Sequence, residues 1–306
     1  MTFSPFADPN DENTLASLAT QFACHDGDFT TDIPELSFYR RSRVSEPIPC
    51  IYGLGVTVAL QGRKRLIIGG ETIEYGEGQS VLTTIDLPLV SHISEASAAK
   101  PYLGLLLTLD PRVVAQISAE MDFPSARKEG ASRALSCQHL DAGLEDAMSR
   151  LVASLREPPT LRSQLAPLIQ REICARLLVS KHGAKLREII SAGSPTQQIA
   201  RAVTWIKHNY QQPIEIDSLA LQANMSASTF RLHFRAVCGI SPLQYIKQIR
   251  LQEARQILWT HKVDAGDVAH RVGYESVSQF TREYKRLFGN PPLRDLKTLQ
   301  GSPEKK

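Results

Sequence analysis

The sequence predicts an α+β protein: a small antiparallel β-barrel or sandwich with helices after it, then an all-α region built on two helix-turn-helix units. Three observations predict this. Short β-rich runs recur at intervals of about 8–12 residues from Leu36 to about Leu109. After Asp110 the apolar spacing changes to threes and fours. Towards the C-terminus one pattern is written twice, as "MSASTFRLHFRAVCGISP" from Met225 and "YESVSQFTREYKRLFGNPP" from Tyr274.

Residues 1–35 read as a polar lead-in with one helical stretch, "ENTLASLATQFA". The β-rich runs follow: "LSFYRRSRV", "YGLGVTVALQG", "RKRLIIGG", "ETIEYGEG", "QSVLTTID", "LVSHISEAS" and "YLGLLLTL". Val, Ile, Leu, Thr and Tyr fill them, and turns with Gly, Asp or Pro separate them, which favours a small barrel or sandwich over about 36–109. "IGGE" offers Gly69-Gly70 for a tight hairpin. "DPRVVAQISAEM" begins a helix, with an acidic cap and Pro at the first turn. Leu144, Met148, Leu151 and Leu155 form one apolar stripe, and "APLIQREICARLLVS" starts another helix at Pro167. These helices, within 110–180, cover the barrel or pair with a second copy. "KHGAKLREIISAGSPTQQ" marks the boundary between a domain of residues 1–190 and one of 195–299.

The formal net charge of +3 is unevenly placed. From Pro195 onward there are 16 Lys+Arg against 9 Asp+Glu, and the rest of the chain holds 19 against 23. A basic module on a neutral or acidic one is the usual footprint of a nucleic-acid binder.

The repeat explains that module. In the first copy, over 216–238, Leu219, Ala220 and Ala223 face inward on a short helix, and Ser226 caps a second helix that buries Phe230, Phe234 and Val237. In the second copy, over 265–288, the matching residues are Val268, Ala269 and Val272, then Ser276, then Phe280, Tyr284 and Leu287. Gly239 and Gly289 stop the two second helices. The offset is 49 residues before the turn and 50 after it. At 100° per residue, Ser228, Leu232 and Arg235, flanked by Arg231, lie opposite the first apolar face. Ser278, Arg282 and Lys285, flanked by Thr281, lie opposite the second. Short polar and long basic side chains suit base edges and phosphates of a major groove. A solvated helix face would carry the same residue types, but two matched copies in the basic third of the chain favour DNA. The helix between them, "SPLQYIKQIRLQEARQILWT", buries Ile246, Ile249, Leu251, Ala254 and Leu258 and spans roughly 27 Å. That approaches the 34 Å or so of one DNA turn.

Residues 195–296 resemble the DNA-binding domain of the AraC/XylS family of transcription regulators. The resemblance rests on "IDSLALQANMSASTFRLHFRAVCGISPLQYIKQIRLQEAR", with its Arg250-Leu251-x-x-Ala254-Arg255 run, and on "VAHRVGYESVSQFTREYKRLFGNPP". Through "LQGRKR", "EYGEGQ" and "DLP", residues of about 20–180 resemble the N-terminal regulatory domain of one subgroup. The resemblance implies a cupin-like barrel that receives a signal, promoter DNA as the partner of the C-terminal domain, RNA polymerase as a further partner, and activation as the usual outcome. A homodimer is an expectation of the apolar stripes, and an unknown small molecule is the expected effector.

Tyr39, Tyr52, Gln61, His92 and Tyr102 are the polar or amphipathic residues of the strand region. Those that face the interior are candidates to line a pocket; the outer face or a satisfied core position is the ordinary alternative for each. Cys24, beside His25, and Cys50 are possible sensor thiols for oxidants or electrophiles. No cofactor is expected. Metal-using cupins need two or three His and a Glu, and only His92 lies among the strands. An alkyl-damage repair protein with the same DNA-binding module needs a cysteine cluster and a Pro-Cys-His acceptor, whereas "IPCIYG" has Pro49-Cys50 without the His. The five cysteines are scattered, with neither disulfide nor zinc-finger spacing. With no apolar run of about 18 residues and a polar N-terminus, the expectation is a cytoplasmic protein that does not enter the membrane.

Overall fold

The computed structural model describes residues 14–121, 123, 131–261 and 263–301. Two antiparallel sheets form the N-terminal half. Their strands are β1 (Gly27–Thr30), β2 (Leu36–Arg41), β3 (Ile48–Tyr52), β4 (Gly55–Gln61), β5 (Arg63–Ile68), β6 (Glu71–Gly76), β7 (Gln79–Thr83), β8 (Leu87–Glu95), β9 (Tyr102–Thr108) and β10 (Leu135–His139). One sheet runs β1-β2-β9-β4-β7-β10 and the other β3-β8-β5-β6. The strand region is therefore wider than the 36–109 expected. β1 precedes it, and β10 returns after a helix to pair with β7, Ser136 opposite Leu82. Both strands are short and sit at the ends of one sheet, where periodicity over four or five residues is a weak signal.

Helix α1 (Leu15–Phe22) is capped by the Thr14 hydroxyl, and α2 (Pro111–Glu120) by Asp110 with Pro111 in the first turn. α3 (Ala142–Ala153), α4 (Pro159–Val179) and α5 (Gly183–Ile190) follow. α4 begins two turns earlier than expected, so Pro167 lies inside the helix rather than at its start. These helices cover one face of the six-stranded sheet. Val56, Val58, Leu103, Leu105 and Leu107 meet Leu144, Met148, Leu151, Ile173 and Leu177 in one apolar cluster. The stripe of α3 is thus used up as sheet cover, whereas Leu161, Leu168 and Val179 of α4 stay exposed.

His182, 2% exposed, joins these layers. Its Nε2 lies 2.9 Å from Ser80 Oγ on β7 and its Nδ1 2.5 Å from Ser136 Oγ on β10. Ser80 Oγ also donates to the Gln138 carbonyl, so it accepts from Nε2–H while Ser136 donates to Nδ1. Burial pushes the imidazole down to about 4. The unfolded chain takes up this proton near pH 6.5, so it binds more protons than the native state below that pH, and stability falls as pH drops. We expect roughly 2 kcal/mol of this loss between about pH 7 and pH 5, and a His182→Gln chain to lose that part of the slope, read from urea midpoints at the two pH values.

The C-terminal half is helical: α6 (Pro195–Asn209), α7 (Ile216–Gln222), α8 (Ala227–Cys238), α9 (Pro242–Thr260), α10 (Ala265–Arg271), α11 (Val277–Phe288) and α12 (Pro292–Gly301). α7–α8 and α10–α11 are the two copies of the repeat. Both turns place a left-handed residue at the same point, Asn224 at φ 51° and Gly273 at φ 86°. In both, the next amide closes on the short helix, Met225 N–H to Ala220 O and Tyr274 N–H to Ala269 O, each at 2.9 Å. The copies diverge only afterwards: Ser226 caps α8 directly, whereas Glu275 intervenes before Ser276 caps α11. Glu275 is the one-residue shift in the repeat.

The two copies are held differently. Phe230, Phe234, Val237 and Ile246 share a cluster with Leu66, Ile68, Val81 and Leu135 of the strands, so the first copy is fused to the sandwich. Val268, Phe280 and Tyr284 form a separate cluster with Leu251 and Leu258. At the seam the Gly69-Gly70 hairpin abuts the end of α8, where a Cβ on Gly69 would fall 2.1 Å from the Gly239 carbonyl oxygen. Lys207 pairs with Asp86 at 3.0 Å, and the Tyr245 hydroxyl donates to the Asp86 carbonyl at 2.7 Å.

Candidate nucleic-acid interface and interior cavity

On α8, Ser228, Arg231, Leu232 and Arg235 are all exposed, opposite Phe230 and Phe234. Arg231 is not free: its guanidinium pairs with Asp217 of α7 at 2.9 Å. On α11, Ser278, Arg282 and Lys285 are exposed. Thr281 is half-buried, and its hydroxyl donates to the Val277 carbonyl at 2.9 Å, so it faces less outward than helical angles alone placed it. Among the described residues Arg282 makes only a hydrogen bond to the Ser278 carbonyl, at 3.3 Å, and Arg235 and Lys285 make no ion pair. The exposed charge therefore lies on the outer faces of both helices.

Other basic residues are consumed internally. Arg250 donates to three backbone carbonyls, Tyr210 at 2.7 Å, Gly273 at 2.8 Å and Gln212 at 2.8 Å. Lys247 pairs with Glu283 at 2.6 Å, and Glu283 also accepts from the Tyr274 hydroxyl. Arg255 holds Asp295 at 2.9 Å, and Asp295, 4% exposed, accepts from the Tyr284 hydroxyl as well. α9 is in this way bolted to the second copy.

Between the sheets lies a cavity of about 320 Å³. Strand alternation builds it. On β2 and β9, Phe38, Leu105 and Leu107 point to the helices, which leaves Tyr39, Tyr102 and Leu106 facing the other sheet. Tyr39, Tyr52, His92 and Tyr102 all line the cavity, together with Cys50. Gln61 does not; its side-chain amide donates to the Pro101 carbonyl at 2.6 Å near a bulge in β4. Tyr102 lies across Gly104, where a Cβ would meet its hydroxyl at 2.7 Å, so only glycine leaves the ring this position. Burial pushes the phenols of Tyr52 and Tyr102 upward, which keeps both neutral.

Sequence reading missed Lys64, which the cavity wall includes and whose Nζ sits 5.3 Å from the centroid of the Tyr52 ring. The signal was available: Lys64 shares strand parity with the buried Leu66 and Ile68. The two candidate thiols are apart. Cys24 is exposed, 3.3 Å from His25 Nδ1. Cys50 is in the cavity wall, and burial pushes its thiol up, opposite to the activation that a reactive thiol requires. Among the described residues no group of three or more His, Cys, Asp or Glu is placed to hold a metal ion. No helix among them is long and apolar enough to cross a membrane.

A two-sheet domain followed by paired helix-turn-helix units with basic outer faces defines a double-headed helix-turn-helix protein. The chain belongs to the AraC-type transcriptional regulators: the family model for the AraC-type transcriptional regulator N-terminus matches residues 32–185, and a helix-turn-helix domain model matches 219–298. The virulence regulon transcriptional activator VirF of Yersinia enterocolitica is 31% identical over 150 residues, 49% of this chain and 54% of that protein. The regulator ExsA of Pseudomonas aeruginosa is 28% identical over 130 residues, 42% of this chain and 46% of its own. The chain spans about a third to a half of the length of the curated relatives it matches. In fold it is similar to ToxT from Vibrio cholerae: wild-type ToxT with unsaturated fatty acid bound aligns at a TM-score of 0.57 and 12% identity, covering 88% of this chain and 97% of that one.

Proposed function

We propose that the chain is a sequence-specific DNA-binding transcription regulator, acting as an activator, with α8 and α11 entering successive major grooves of promoter DNA. The observation that carries this reading is the pair of exposed faces, Ser228, Leu232 and Arg235 on one helix and Ser278, Arg282 and Lys285 on the other, at matched positions of a repeat. Arg231 joins the first face once it leaves Asp217, and Thr281 stays at the margin of the second. Residues 195–299 form the DNA-binding domain and 1–190 the regulatory one. RNA polymerase and a second copy of the chain are its further partners, and the reading includes no enzymatic step.

The cavity between the sheets is the effector site in this reading. Its wall strand β3 carries Cys50 and Tyr52 inward and lies against α9 and α11 outward, which supports a path from effector to the second reading helix. The unsaturated fatty acid named for ToxT, a protein of similar fold, supports a small-molecule effector. A gel-shift titration tests the DNA-binding step. With duplex from the chain's own upstream region, affinity is expected to fall by at least about a hundredfold between about 50 and 200 mM salt, as phosphate contacts release counterions. No binding at any salt overturns the proposal.

A further inference from the structure

Lys64 poses a charge problem. It projects into the cavity from β5, its Nζ 5.9, 5.3 and 5.7 Å from the ring centroids of Tyr39, Tyr52 and Tyr102. No described residue gives it an ion pair or a hydrogen bond. The other cation of the wall, Arg41, is already matched, its guanidinium 2.5 Å from Asp28 and donating also to the Gly27 carbonyl. Ring faces attract an ammonium but leave its charge uncancelled. The Tyr102 ring forms part of the same wall, while its hydroxyl is turned into the core beside that of Tyr75, away from the cavity. Buried charges are ordinarily paired, so an unmatched cation ringed by aromatic faces describes half of a recognition site. The missing half is an acceptor with one negative charge.

We propose that the cavity binds a compact organic monocarboxylate, its acidic group held by Lys64 and its apolar body against Ile48, Ile93 and Leu106. The proposal rests on reading this cavity as the effector site and narrows the effector's chemistry. One unmatched ammonium balances one charge, so a dianion such as a phosphate monoester would enter with an excess charge in a low-dielectric space. The volume, about 320 Å³, is at the small end of ligand sites, which run from about 300 to 1,000 Å³, and favours a short acid over a long chain.

Calorimetric titration of the full chain with hexanoate and phenylacetate, each beside its neutral amide, tests this. The acids are expected to bind about tenfold or more tightly than the amides, the ratio that a single ion pair of ordinary strength gives. Lys64→Met is expected to bring the ratio to about one, and Lys64→Arg to preserve the preference. Equal binding of acid and amide, an unchanged ratio in a folded Lys64→Met chain, or no heat and no rise in melting temperature with either acid at millimolar concentration overturns the proposal. Oleate binding more tightly than hexanoate, or inorganic phosphate matching it, overturns the compact monoanion. If Lys64→Met does not fold, the acid-to-amide ratio of the unaltered chain decides. The gel shift run on the same preparation separates the two readings: DNA binding without acid binding removes only this one.

Discussion

Replacing Arg250 with alanine is expected to destabilise the C-terminal helices by about 3–4 kcal/mol. One guanidinium serves three carbonyls that different segments leave over: Tyr210 and Gln212 after α6, and Gly273 in the turn of the second helix-turn-helix unit. Each bond from a charged donor is worth about 1.5–3 kcal/mol, and water recovers part of the loss at the more exposed Gln212. Lysine is expected to rescue little, because an ammonium cannot reproduce the planar fork that reaches three acceptors at fixed angles. Urea unfolding followed by circular dichroism is the measurement. DNA binding should fall as well, but in proportion to the unfolded fraction and equally for every sequence. An Arg250→Ala chain with the parent midpoint and lost binding would instead make Arg250 a DNA contact.

Arg282→Ala has the opposite signature: no loss of stability and a loss of specific DNA affinity of roughly 1–3 kcal/mol. Its side chain is exposed on α11 and holds only the carbonyl of Ser278, a bond that the helix does not need, so truncation leaves no buried group unpaired. If Arg282 reads a base edge, the loss appears on the specific site and is small on random duplex. If it meets phosphate, the two losses are equal and the salt slope drops by about one. Lys285→Ala is the natural comparison, since a lysine one turn along usually serves the backbone. Competition gel shifts with specific and random duplex read both variants.

Legibility followed the range of the interactions. Each helix-turn-helix unit could be read directly because its cap, apolar face and stop lie within about 25 residues and obey one helical period. Phe230 and Phe280, Ser226 and Ser276, Gly239 and Gly289 occupy the places that this period gives them. The strands were legible as runs, but β10 was not, because its pairing with β7 joins residues more than 50 apart and its five residues carry no pattern of their own.

The sequence by itself determined the second helices of the two helix-turn-helix units, the linker between the units and the existence of a β-domain before them, since these follow from local periodicity and turn chemistry. Only the tertiary structure decided which basic residues are available. Arg250 and Arg255 look as basic as Arg235 and Arg282 in the sequence, yet they clamp partners 23 to 40 residues away and face inward. Only the tertiary structure could gather Tyr39, Tyr52, Lys64, His92 and Tyr102 around one cavity while leaving Gln61 outside it, because the sheets that face each other there are built from strands scattered along the chain. The physical reason is the same in both cases. A charge or a polar group acquires its role from what desolvates and pairs it, and in this fold those partners are brought up by packing rather than by neighbours in sequence.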